Sequence, residues 1–172
     1  MLYYFMMVHY GEMANMSEEQ VTKIILEWLI NNNWKIISFD FPQSGTGKHL
    51  HPNKIIRLSG TKNEKTFIPD IIAVKNNIAL FFENKNRFFL DDFIKLYNIK
   101  TKNIYSEAID KLLAIYKVDK IYYGVGAINN KKFIEQSSNQ LDYVDFIVLI
   151  DKDILVFKDT DNIFEDKTFN KS

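Results

Sequence analysis

The chain has 172 residues, 47% hydrophobic and 15% aromatic, with 22 basic and 22 acidic side chains and no cysteine. That is enough apolar material for a single domain, 1–172, with a substantial core. The lack of cysteine excludes disulfides, thiol chemistry and thiolate zinc sites, the zero net charge argues against a general nucleic-acid coat, and no run approaches the ~20 apolar residues that span a membrane.

Met1–Val8 is apolar but lacks a basic lead and a small-residue cleavage site, so it reads as neither signal peptide nor anchor. Residues 1–16 read as an extension, either an extra strand or sequence upstream of a start at Met13 or Met16. The simplest compartment is the cytoplasm. Ser17 followed by Gln20 has the form of a capping box, and Val21, Ile24, Ile25, Trp28 and Leu29 repeat at helical spacing. The spacing predicts a helix over 17–32, stopped by Asn31-Asn32-Asn33. Trp34 to Phe41 alternates as a strand ended by Pro42. Residues 43–66 read as a long polar loop with a short strand at Lys54–Leu58; a loop of that length in a small domain is usually functional. Two apolar runs follow, Ile68–Val74 and Ile78–Glu83. Leu90–Ile99 is ambiguous with helical character, and Tyr105, Ile109, Leu112, Leu113 and Tyr116 mark a second amphipathic helix. Lys120–Ile128 reads as a strand, followed by an Asn-rich connection and a final hairpin, Phe146–Ile150 with Ile154–Phe157. This order predicts an α/β fold: a central mixed sheet flanked by helices, with extra C-terminal strands in 142–172.

The two runs at 68–83 carry the chemistry. Asn76-Asn77 makes a two-residue hairpin turn, since Asn tolerates positive φ. Lys75 then opposes Ile78, and Asp70 opposes Glu83 on the same face. A three-residue turn would break that register. Alternation puts Glu83 and Lys85 on one face and Asn84 on the other. Two carboxylates about 5 Å apart repel by about 3 kcal/mol at an effective dielectric near 20. A divalent cation turns that repulsion into coordination, and oxygen ligands suit Mg²⁺, with Mn²⁺ as substitute. The parts are those of a phosphodiester-hydrolysing site. The competing reading is a turn carboxylate at Asp70 and a solvated strand face at Glu83 and Lys85.

Pro69-Asp70, twelve intervening residues and Glu83-Asn84-Lys85, together with the element order αβββαβ, resemble the PD-(D/E)xK nuclease superfamily over residues 17–128. The resemblance implies a restriction-endonuclease-like core in which Asp70, Glu83 and the Asn84 carbonyl ligate Mg²⁺. It gives Lys85 the role of positioning or deprotonating the attacking water and stabilising the phosphate. It adds a glutamate from the first helix, with Glu18 and Glu19 as candidates ahead of Glu27. It also offers Ser44, in Gln43–Lys48, as a match to the catalytic serine of Holliday-junction resolvases, although about twenty inserted residues separate this loop from Pro69. A small type II restriction enzyme is the leading expectation: a homodimer cutting double-stranded DNA, paired with a cognate DNA methyltransferase. The alternatives are a resolvase, a repair nuclease, a nuclease subunit of a defence or transposition system, and a non-catalytic nucleic-acid-binding module.

Local charge supplies the candidate DNA contacts. Residues 43–66 hold Lys48, Lys54, Arg57, Lys62 and Lys65 against Glu64. Residues 85–102 hold Lys85, Arg87, Lys95, Lys100 and Lys102 against Asp91 and Asp92, whereas the tail from 142 is acidic. His49 and His51 lack a third ligand and read as a solvated or DNA-facing loop rather than a metal pair. Gly45–Lys48 is not a phosphate-binding P-loop, because Pro42 and His49 occupy positions that need Gly and Ser/Thr.

Overall fold

The computed structural model describes residues 16–58 and 66–164. Residues 1–15 of the candidate extension 1–16, Lys62, Lys65 and the last eight residues lie outside them. The first helix, α1 (Glu18–Asn31), starts at the capping box: Ser17 accepts from the Gln20 N–H and the Gln20 side chain accepts from the Ser17 N–H. Its apolar stripe of Val21, Ile25 and Leu29 is fully buried. Asn33 turns the chain out of the helix at φ +61°, a conformation Asn tolerates.

Six strands form one sheet in sequence order: β1 (Lys35–Phe39), β2 (Ile71–Lys75), β3 (Ile78–Lys85), β4 (Lys120–Ile128), β5 (Phe146–Ile150) and β6 (Ile154–Asp159). The β1–β2, β2–β3 and β5–β6 pairs are antiparallel; β3–β4 and β4–β5 are parallel. Parallel neighbours need crossovers, and helices supply both. α3 (Leu90–Lys102) and α4 (Ser106–Leu113) lie between β3 and β4; α5 (Lys131–Ser137) and a 3₁₀ segment (Ser138–Tyr143) lie between β4 and β5. The crossovers advance in the same direction across the sheet, so crossovers of one hand put their helices on one face. Phe93, Leu96, Ile109 and Phe133 accordingly share a core with Phe81, Val125 and Ile147, while α1 covers the opposite face over Ile71, Leu80, Phe82 and Phe146. The mixed α/β sheet flanked by helices is thus present.

Two segments depart from expectation. Lys54–Leu58 is a helical turn, α2, not a strand. Asn53 determines this by holding the loop onto the α3–α4 junction, donating to the Asn103 carbonyl and the Ser106 hydroxyl and accepting from the Glu107 N–H. The connection after β4 is helical, with Asn130 as N-cap accepting from the Phe133 N–H. Only Phe133 and Ser137 of α5 are buried, too short a stripe to register as periodic.

Candidate active site

The hairpin register follows the turn. Lys75 pairs with Ile78, Val74 with Ala79 and Ile71 with Phe82, with Asn76 at φ +54°. The ladder stops there. The Asp70 N–H donates to the Phe82 carbonyl (2.9 Å), so Asp70 lies just beyond the strand and is not a sheet partner of Glu83. Its side chain turns inward, and Oδ2 accepts from the Asn84 N–H at 2.6 Å. The Asp70 carbonyl accepts from the Asp40 N–H (2.9 Å), fixing the residue from the β1 side.

β3 carries the other groups past the end of its apolar run. Ala79 and Phe81 face the α3 side and Leu80 and Phe82 the α1 side. Continuing the alternation, Glu83 is buried on the α3 side and Asn84 meets α1, donating to the Thr22 hydroxyl at 3.1 Å. Glu83 Oε2 lies 2.9 Å from the Lys95 ammonium, while the buried Oε1 has no hydrogen-bond partner. Lys85 Nζ stands 3.6 Å from Glu18 Oε1 and 3.8 Å from Asp92 Oδ2.

The electrostatics match this crowding. Burial, then the neighbouring Glu83, pushes the Asp70 carboxyl up to about 7. Burial also raises Glu83, against the pull of Lys95 and Lys85. Burial by itself lowers the affinity of Lys85 for its proton; Asp92, Asp70, Glu18 and Glu83 together outweigh it, and its pKa is raised. The site therefore holds two carboxyls that keep their protons more readily than free ones and a lysine kept as the ammonium.

Asp70, Glu83, Asn84, Lys85 and Glu18 come together. Glu19 does not, because it pairs with Lys23 one turn along α1 at 2.5 Å. The Ser44 hydroxyl closes its own loop: it donates to Asp40 Oδ1 (3.1 Å), accepts from the Phe41 N–H (3.1 Å) and contacts Thr46 Oγ1 (2.7 Å). Two of the candidate DNA contacts are occupied otherwise: Lys95 by Glu83, and Lys100 by Asp145 at 2.9 Å. Lys48, Lys54, Arg57, Arg87 and Lys102 are exposed, and the Arg87 guanidinium lies over the Phe89 ring. Lys48, His49 and His51 line an open cavity of about 430 Å³ against α4. The sequence reading missed Asp92 and the place of Lys95. The four residues from Asn86 to Phe89 bring the first turn of α3 over the end of β3, so the i, i+3 spacing of Asp92 and Lys95 was the available signal.

The donor set fits a hard divalent cation. Mg²⁺ takes one or two carboxylates and completes its shell with water and substrate oxygens. Asp70 and Glu83 supply two, including the unpartnered Glu83 Oε1. Among the described residues no group of three or more His, Cys, Asp or Glu converges as a metal cage. No helix among the described residues is long and apolar enough to cross a membrane. No protein-family model matches the chain, and no curated protein matches its sequence.

Proposed function

We propose that the chain is a Mg²⁺-dependent endonuclease of the PD-(D/E)xK kind, with a restriction-endonuclease-like core, hydrolysing phosphodiester bonds of double-stranded DNA. The observation that carries this reading is the buried, unpartnered oxygen of Glu83 beside the proton-avid Asp70, with a charged lysine two residues along the strand. A buried carboxylate oxygen left without a donor is destabilising, and sites of that kind mark functional groups. Asp70 and Glu83 would hold the ion. When bound, Mg²⁺ supplies Lewis-acid polarisation of the phosphate. Lys85, held as the ammonium by four carboxylates, donates to a phosphate oxygen and stabilises the charge that grows there. Glu18 orients Lys85 from α1. The exposed cations Lys48, Lys54, Arg57, Arg87 and Lys102 contact the DNA backbone, and side chains of 43–66 and 87–103 read base edges. A palindromic site calls for a homodimer, and such an enzyme works beside a methyltransferase that protects host DNA.

The test is incubation of the purified chain with Mg²⁺ and with linear, supercoiled and four-way-junction DNA, beside Asp70→Ala. Discrete fragments from linear duplex, absent with the variant, are the expected result. Cleavage confined to junctions would replace the restriction reading with a resolvase. No cleavage with Mg²⁺ or Mn²⁺ would overturn the stand-alone nuclease.

A further inference from the structure

Lys95 is a charged group of the site that the proposed chemistry leaves without a task. Its ammonium lies 2.9 Å from Glu83 Oε2 and 3.5 Å from Asp92 Oδ1. Its side chain is 41% exposed, against 4% for Glu83. It also lies over the Phe67 ring, 5.7 Å from the centroid. One oxygen of the buried carboxylate is therefore covered by a cation with an open path to solvent, and the other oxygen is bare. Asp92, one turn earlier on α3, is a second seat already within ion-pair reach.

We propose that Lys95 is a displaceable counter-ion: it neutralises Glu83 while the metal is absent, and a divalent cation held by Asp70 and Glu83 drives it onto Asp92. This rests on the metal-site reading above. A dication and an ammonium on one buried carboxylate repel each other, and Lys95 is the one of the two with room to leave. The exposed lysine has the room, and its flexible four-carbon stem allows the move. Asp92 keeps the departing charge paired at the mouth of the site. Lys85 is not equivalent, because its side chain is only 19% exposed and it is shared between α1 and α3.

Lys95 and metal are then competitors. Lys95→Gln keeps a hydrogen-bond donor but removes the charge, and metal binding should tighten by roughly tenfold. Lys95→Arg keeps the charge in a planar fork suited to a carboxylate, and should weaken binding. Asp92→Asn removes the second seat as well as a negative charge that acts on Glu83, and should weaken binding more in the wild-type background than in Lys95→Gln. The measurement is calorimetric titration of the full chain with Mn²⁺ alone, without DNA, beside the melting temperature of each variant and Asp70→Asn as the empty-site control. Tighter binding by Lys95→Gln and weaker binding by Lys95→Arg support the proposal. Unchanged or weaker binding by Lys95→Gln, with the wild type binding Mn²⁺ and Asp70→Asn not, overturns it and leaves the metal site standing. Absence of Mn²⁺ binding by the wild type and Lys95→Gln alike overturns both. If Lys95→Gln does not fold, Lys95→Arg decides: binding as tight as the wild type refutes the competition.

Discussion

Replacing Asp70 by Asn should stabilise the protein at alkaline pH, which is the opposite of what a structural carboxylate does. The Asp70 carboxyl titrates near 7 in the fold, from an ordinary value of 3.8. Between those values the folded chain holds a proton that the unfolded chain has released. Stability is therefore fully present below the ordinary value, falls as pH rises through about 7, and levels off above it. Three units correspond to about 4 kcal/mol. Asn keeps the acceptor that the Asn84 N–H meets at 2.6 Å, so the variant loses little besides charge. Asp70→Asn should gain about 2–4 kcal/mol at pH 8 and almost nothing at pH 4, a rise of roughly 5–15 °C in melting temperature for a chain of this size. Mg²⁺ acts on the same charge: at ten times its dissociation constant it should add about 1.4 kcal/mol to the wild type at pH 8 and nothing to Asp70→Asn. Thermal melts from pH 4 to 9, with and without Mg²⁺, measure both. A variant destabilised equally at pH 4 and pH 8, in a wild type indifferent to Mg²⁺, would refute the reasoning and make Asp70 a structural group.

Lys85→Met should lower cleavage by at least about a hundredfold, since it removes a charge aimed at the transition state, while Mn²⁺ binding persists by calorimetry. Ser44→Ala should leave the cleavage rate within a few-fold and lower stability by about 1 kcal/mol in urea unfolding, because the hydroxyl only closes its loop; a loss of activity like that of Lys85→Met would restore a catalytic serine. Gly126→Ala would place a Cβ 2.3 Å from Asn84 Oδ1 and 3.0 Å from Ile25 Cδ1. It should destabilise by about 1–3 kcal/mol in the same assay and disturb the site through Asn84.

What local chemistry dictates was legible in the chain, and what tertiary packing dictates was not. The Asn76-Asn77 turn set five hairpin pairs as counted from the sequence. The capping box started α1 at the expected residue, and Lys120–Ile128 is a strand over its whole expected length. The sixth hairpin pair failed because the Asp70 N–H bonds one residue out of step, to the Phe82 carbonyl. The carboxylate still reaches the site, but through its bond to the Asn84 N–H rather than by cross-strand facing. Lys54–Leu58 became helical through Asn53, whose partners are some fifty residues away. Lys95 could not be placed by charge count alone. A lysine in a basic run reads as a phosphate contact until the short β3–α3 connection folds it back over Glu83. Glu18 and Glu19 are adjacent in sequence, and only the packing of α1 sends one to Lys85 and leaves the other to Lys23.

The joint of this site is the residue that the motif leaves free. Asn84 sits between Glu83 and Lys85 and is fully buried. Its N–H holds Asp70, and its side chain is tied to Thr22 on α1. Glu18 lies four residues before Thr22, hence on the same face of the helix, and reaches Lys85. One residue thus ties the end of β3 to Asp70 through its backbone N–H and to α1 through its side chain. Gly126, its neighbour on β4, allows this because a methyl group there would collide with the amide oxygen. An open pair of carboxylates has no metal cage to define it, so its spacing must come from the scaffold. The buried Asn84, set between α1 and a glycine of the central sheet, supplies that spacing.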